Sequence, residues 1–251
     1  MSFSNSRSVL FVAVLAVAAL SSHEARADWS GKAEAGLVIS NGNTDTKNAN
    51  GKFEMSEKLE QWKHTFGADV IYASSDSLTT GQRWEAYEQS DYSFSAKNFA
   101  FGAARYEDDR FSGFTYQATL STGVGRHFID SEHTKLTGSV GVGYKLFETR
   151  DTFDPVSGLL LQRGESDNEA VGRGTLDFSH DVTATSKVTD KFLVESGATN
   201  TFVQNDIAFQ VKISTVLALA AGYSVRYNSD PPLGFVKTDQ LTTLNLVYEM
   251  K

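Results

Sequence analysis

The chain has 251 residues, a formal net charge of −8 and no cysteine. Without cysteine there is no disulfide, no thiolate metal centre, no cysteine nucleophile and no lipid-modified N-terminal cysteine. The acidic balance, with no basic patch or motif, argues against a nucleic-acid partner.

Residues 1–27 read as a secretory signal peptide. Arg7 supplies a positive start, residues 9–20 an unbroken apolar run, and Ala25-Arg26-Ala27 a small-x-small cleavage site ending at Ala27. The run is too short to span a bilayer as a helix. Residues 28–251 remain as one domain. No later stretch reaches the length of a membrane helix. Barrel strands, however, span with only about 9–11 alternating residues each, and averaged hydropathy misses them.

Alternation with a period of two begins at once. Trp29, Gly31, Ala33, Ala35, Leu37 and Ile39 share one face of a first predicted strand, opposite Lys32, Glu34, Gly36 and Val38. The turn S-N-G-N-T-D-T at 40–46 follows. A second strand sets Ala49, Gly51, Phe53 and Met55 against Asn48, Asn50, Lys52 and Glu54. A third sets Trp62, His64, Phe66, Ala68, Val70 and Tyr72 against Lys63, Thr65, Gly67 and Asp69. A polar loop is expected at 74–81, then a weakly alternating fourth strand over 83–94 that begins near Trp84.

A tight turn at 95–98 leads to a fifth strand starting at Phe99 and Phe101, and E-D-D-R-F-S-G at 107–113 reads as a solvated charged loop. A sixth strand runs through Tyr116, Leu120 and Val124, and a seventh through Leu136, Val140, Val142, Tyr144 and Leu146. Residues 149–167 form the longest stretch without alternation. An eighth strand uses Gly172, Gly174, Leu176 and Phe178, and a ninth reaches Glu195, with their boundary somewhere in 181–190. The tenth carries Ile207, Phe209 and Val211, the eleventh Leu217, Leu219 and Tyr223. A loop with Asp230-Pro231-Pro232 precedes the last strand, where Leu244, Leu246, Tyr248 and Met250 alternate with Asn245, Val247 and Glu249.

The expected fold is therefore all-β, a single antiparallel up-and-down transmembrane β-barrel of about twelve strands following a cleaved signal peptide. The last strand would otherwise leave an open edge, which pairing with the first removes. The connections after odd strands include the long ones and those after even strands are mostly tight turns, the pattern of outer-membrane barrels with short periplasmic turns. Trp29, Trp62, Trp84, Tyr72, Phe94, Phe99 and Tyr248 fall at strand ends, as interfacial girdles require. A soluble periplasmic β-barrel holding an apolar ligand is the alternative fold reading. Outer-membrane lipid, lipopolysaccharide and, during insertion, the barrel-assembly machinery are the expected partners; the oligomeric state stays open.

The polar faces offer Lys32, Glu34, Lys52, Glu54, Lys63, Asp69, Lys145, Arg173, Asp177, Lys212 and Arg226 to the lumen. Their signs are mixed, with no single-sign ring that would imply strong ion selectivity. Twelve strands lie between filled eight-stranded barrels and open sixteen-stranded porins, so a narrow pore and a closed lumen both fit. Of the histidines, His64 lies on the predicted lipid face near an end, His127 ends a strand, and His133 and His180 fall near short turns. No spacing marks a Ser/His/Asp set, so the expectation is a barrel without catalysis, with a lipid-modifying enzyme as the alternative. Asn41, Asn43 and Asp45 resemble the start of a calcium loop, but Thr46 and Lys52 stand where Gly and Glu are needed. Glu107, Asp108 and Asp109 could hold a divalent ion with lipopolysaccharide phosphates, the less favoured reading of that loop. No metal or cofactor is expected.

With those residues in view, the chain resembles bacterial outer-membrane β-barrels of unknown function labelled salt-induced outer-membrane proteins. The resemblance covers the whole stretch after the signal peptide. It rests on S-N-G-N-T-D-T at 40–46, E-D-D-R-F-S-G-F at 107–114, Y-S-V-R-Y-N-S-D-P-P-L-G at 223–234, and K-T-D followed by T-L-N-L-V-Y near the end. Met250-Lys251 departs from the terminal aromatic usual in such barrels. The resemblance implies a link to salt or osmotic response and brings no catalytic or binding residues.

Overall fold

The computed structural model describes residues 28–40, 46–76, 78–154 and 157–250. The expected signal peptide with its cleavage at Ala27, and residues 41–45, lie outside them.

Twelve strands close into one barrel: β1 (Asp28–Ser40), β2 (Thr46–Leu59), β3 (Trp62–Ser75), β4 (Leu78–Ser93), β5 (Asn98–Asp109), β6 (Phe114–Asp130), β7 (Thr134–Thr149), β10 (Ser166–Asp181), β11 (Ser186–Ser196), β12 (Thr201–Lys212), β13 (Leu217–Asn228) and β14 (Thr238–Met250). Each pairs antiparallel with its sequence neighbours. β1 meets β14 from Gly31 opposite Met250 to Ala35 opposite Leu246, which removes the free edge. The two remaining strands, β8 (Thr152–Phe153) and β9 (Leu160–Gln162), form a small hairpin within the β7–β10 connection.

The strands run further than their apolar alternation suggests. β3 and β4 stay paired through residues placed in a polar loop, with Ser75 opposite Leu78. β5 continues to Asp109, so Glu107 is a strand residue only 2% exposed rather than part of a solvated loop. Asp108 pairs with Arg150 at 3.5 Å, and Asp109 Oδ1 accepts the Phe111 N–H at 2.9 Å. The β10–β11 connection shrinks to residues 182–185.

One local device recurs at the short-turn rim. In four turns a hydroxyl accepts the backbone N–H three residues on: Ser95 from Asn98, Ser131 from Thr134, Thr183 from Ser186 and Ser214 from Leu217, at 3.0–3.1 Å. Such side-chain capping replaces a ladder bond where the chain reverses. Among these turns the sequence needs only one small hydroxylated residue at the first position.

Alternation then sorts the wall. Leu120, Val140, Val142, Leu219, Leu244 and Leu246 are exposed on the outside. The interior holds Glu85, Glu107, Gln117, Thr119, Glu195 and Arg226, all buried, together with Phe99, Phe101, Phe114 and Phe202. Phe99 therefore corrects an expectation: it is 2% exposed and points inward, not to an interface. The physical reason is Gly125, whose missing side chain leaves the floor on which the Phe99 ring lies. Phe101 uses Gly123 and Gly141 in the same way. Inside a polar lumen, an aromatic ring over a glycine strip buries its apolar face against backbone.

Candidate functional site

The lumen encloses a cavity of about 430 Å³. Lys32, Glu34, Lys52, Glu54, Lys63, Asp69, Arg173 and Asp177 border it. Lys145 and Arg226 are buried at 3% and 4% exposure, and Lys212 is exposed at the end of β12. The cavity reaches toward the short turns, where Lys63, Asp91, His127 and Thr137 line it.

Toward the long-loop side a girdle of ion pairs crosses the barrel. Arg226 of β13 donates from Nη2 to Glu85 Oε2 at 2.8 Å and from Nη1 to Glu107 Oε2 at 2.6 Å. Arg105 of β5 donates to the same two carboxylates, at 2.9 Å to Glu85 and in close contact with Glu107, and lies 3.9 Å from Glu195 of β11. Against them the Phe202 ring faces three cations, with Arg105 at 4.9 Å and Lys145 and Arg226 at 5.7 Å from its centroid. Each such contact adds roughly 0.5–2 kcal/mol, more when desolvated. The glutamates neutralise the arginines, and the arginines hold two carboxylates together that would otherwise repel.

Below the girdle other side chains also span the lumen. Lys191 of β11 meets Glu54 of β2, and the Tyr87 hydroxyl donates to the same carboxylate at 2.6 Å. Lys52 lies 4.0 Å from Asp206, and Arg173 reaches Gln89 Oε1 at 3.4 Å. Lys32 pairs with Glu34 at 2.6 Å, and Asn245 donates to Glu34 at 3.0 Å. Signs alternate around these contacts, so the lumen presents matched pairs rather than a ring of one charge.

The long-loop mouth is covered as well. Gly113 has a φ of +82°, and Pro232 and Phe235 of the β13–β14 loop press against it. Arg150 Nε donates to the Phe114 carbonyl at 2.9 Å.

The girdle residues Glu85, Arg105, Glu107 and Glu195 were absent from the sequence-based lumen set. Arg105 and Glu107 share parity with Phe99, which the sequence places among the interfacial aromatics. Parity counted through to Asp109 exposes the conflict, because Tyr106 on the other parity is exposed.

On the outer wall Trp29, Trp62, Tyr72, Trp84, Phe94 and Tyr248 are all exposed. Trp62 packs on Tyr92 with centroids 5.0 Å apart at the short-turn end, and Trp84 on Tyr106 at 5.0 Å toward the other. Three histidines each meet a hydroxyl of a neighbouring strand: His64 Nδ1 and Ser90 Oγ at 2.7 Å, His127 and Thr137 at 2.9 Å, His180 and Thr134 at 2.9 Å. His133 sits in an exposed turn. Among the described residues no group of His, Asp and Glu is arranged to hold a metal ion.

A family model described as "Protein of unknown function, DUF481" matches residues 33–250. The chain belongs to the DUF481 family. A relative in Escherichia coli (strain K12), "Uncharacterized protein YdiY", is 23% identical over 227 residues, covering 90% of this chain and 85% of that protein. The translocator domain of autotransporter NalP from Neisseria meningitidis superimposes with a TM-score of 0.51 at 11% identity, covering 88% of this chain and 87% of that one. The NanC porin does so at 0.46 and 8%, covering 88% and 99%. This DUF481 chain, a closed twelve-stranded barrel that superimposes on the NalP translocator domain, has the fold of outer-membrane β-barrels.

Proposed function

We propose that this chain is exported by its N-terminal signal peptide, is inserted by the barrel-assembly machinery, and resides in the outer membrane. Its apolar wall meets lipid there, with lipopolysaccharide around the long-loop end. The belt of exposed Leu and Val between two aromatic zones supports that placement.

Within the membrane the lumen acts as a narrow path for small ions, constricted at the Arg105–Arg226–Glu85–Glu107 girdle. The observation that carries this reading is Arg226 bridging two opposed glutamates across the barrel. A purely structural interior is served as well or better by apolar packing, because buried ion pairs rarely add stability over well-packed hydrophobic residues. Paired charges leave a hydrophilic path that side-chain rearrangement opens. A salt-stress role suits such a gate, and protein levels measured against medium osmolality test that part separately.

Planar-bilayer recording tests the pore. Refolded protein whose gel mobility shifts on heating is expected to give small, discrete current steps. Arg226→Ala is expected to enlarge them. Silence from both proteins overturns the pore reading.

A further inference from the structure

Three polar side chains stand together on the outer wall. His64 of β3 is directly opposite Ser90 of β4, and Glu88 is the next outward residue along β4. Ser90 Oγ donates to Glu88 Oε1 at 2.5 Å and lies 2.7 Å from His64 Nδ1. One primary hydroxyl thus sits between a carboxylate and an imidazole nitrogen. The pairs at His127 and His180 use threonine, a secondary alcohol, in place of serine.

The surroundings make this costly. Phe66 on one side and Ala104 on the other flank Glu88. Glu88 is four residues from both Trp84 and Tyr92 on the same strand, midway between the two aromatic zones. An ionisable group facing lipid at that depth is expensive and marks a function by default. Beside Ser90, the outward side of β5 is Ala100, Gly102 and Ala104, and a Cβ at Gly102 would meet nothing within 4 Å. This leaves an open trough next to the hydroxyl.

We propose that His64, Ser90 and Glu88 form an acyl-ester hydrolase centre acting on membrane glycerophospholipid from the outer wall. Ser90 and His64 are each two residues, about 7 Å along the strand, from the Trp62–Tyr92 pair. Aromatic belts mark the headgroup level, and acyl esters lie just beneath it. The short-turn end corresponds to the periplasmic leaflet, which supplies glycerophospholipid.

In the reacting rotamer the Ser90 proton passes to His64 Nδ1 as Oγ attacks the ester carbonyl carbon. The Glu88 carboxylate stabilises the resulting imidazolium. The C–O bond to the glycerol oxygen breaks, and that oxygen takes the proton from Nδ1. Water, deprotonated by the same nitrogen, then cleaves the acyl-serine, which releases fatty acid and restores Ser90. One ester and one water give one acid and one alcohol. The proposal rests on membrane residence and is independent of whether the lumen conducts.

The test uses the whole refolded protein in vesicles of phosphatidylethanolamine and phosphatidylglycerol. Flotation with the vesicles and the heat-dependent gel shift report membrane residence separately from chemistry. Mass spectrometry reads fatty-acid release. The wild-type protein is expected to release fatty acid, and Ser90→Ala and His64→Phe to lower the rate at least about 100-fold with flotation and gel shift unchanged. Release by the floated wild-type protein no greater than by Ser90→Ala overturns the proposal.

Discussion

Glu85 and Glu107 face each other directly across the β4–β5 ladder, both buried, and the guanidinium of Arg226 bonds to both. Like charges directly opposed on neighbouring strands destabilise a sheet, so the pair depends on its arginines. Arg226→Leu is expected to cost about 3–5 kcal/mol, since it leaves buried carboxylates short of a cation. Adding Glu107→Gln is expected to recover part of that loss. Guanidinium unfolding in detergent micelles, followed by tryptophan fluorescence, measures both.

A second expectation concerns the Phe99 ring on Gly125. The nearest atoms to a Cβ placed at Gly125 all belong to Phe99. Gly125→Val should therefore cost about 1–3 kcal/mol by overpacking. In a Phe99→Ala background the same change should cost much less, because the ring it strikes is gone. A double-mutant cycle on unfolding midpoints reads the coupling, and additive costs would contradict the inward placement of Phe99.

The three tryptophans, Trp29, Trp62 and Trp84, are 48%, 46% and 43% exposed, all on the outer wall. In vesicles they should lie against lipid. Phospholipids brominated on the acyl chain are expected to quench their fluorescence strongly, and aqueous iodide weakly. The opposite ranking would favour a soluble barrel.

Gly113 combines a φ of +82° with close approach of Pro232 and Phe235. Gly113→Ala introduces both left-handed strain and a clash, at roughly 1–3 kcal/mol. The cost should appear locally, as faster proteolysis within residues 229–237, with the barrel still shifting on gels after heating.

Much of the architecture is legible in the sequence. Alternation is clear over residues 62–70 and, Val247 apart, over 244–250, and Ser95, Ser131, Thr183 and Ser214 mark turns by chemistry that acts within three residues. Strand ends were less legible. Where polar residues occupy both faces, as at 74–81, alternation vanishes although the backbone ladder continues. Phe99 is not legible in this way, because an aromatic at a strand end suits both an interface and a glycine floor, and only the neighbouring strand tells them apart.

The pleat's period of two and local turn chemistry let the sequence by itself determine an antiparallel barrel of twelve strands with a greasy outside and a charged inside. Both signals are local, read over a few residues. The partners inside that barrel are not local. Arg226 lies 119 residues from Glu107 and 141 from Glu85, and Glu54 lies 137 from Lys191. Which charges meet depends on strand register and on where closure brings β13 and β11 opposite β4, β5 and β2. The same holds for His64 and Ser90, 26 residues apart and opposed only through the β3–β4 register. Tertiary structure alone decided the girdle and the outer-wall cluster, because closure converts separate alternating strands into one set of distances.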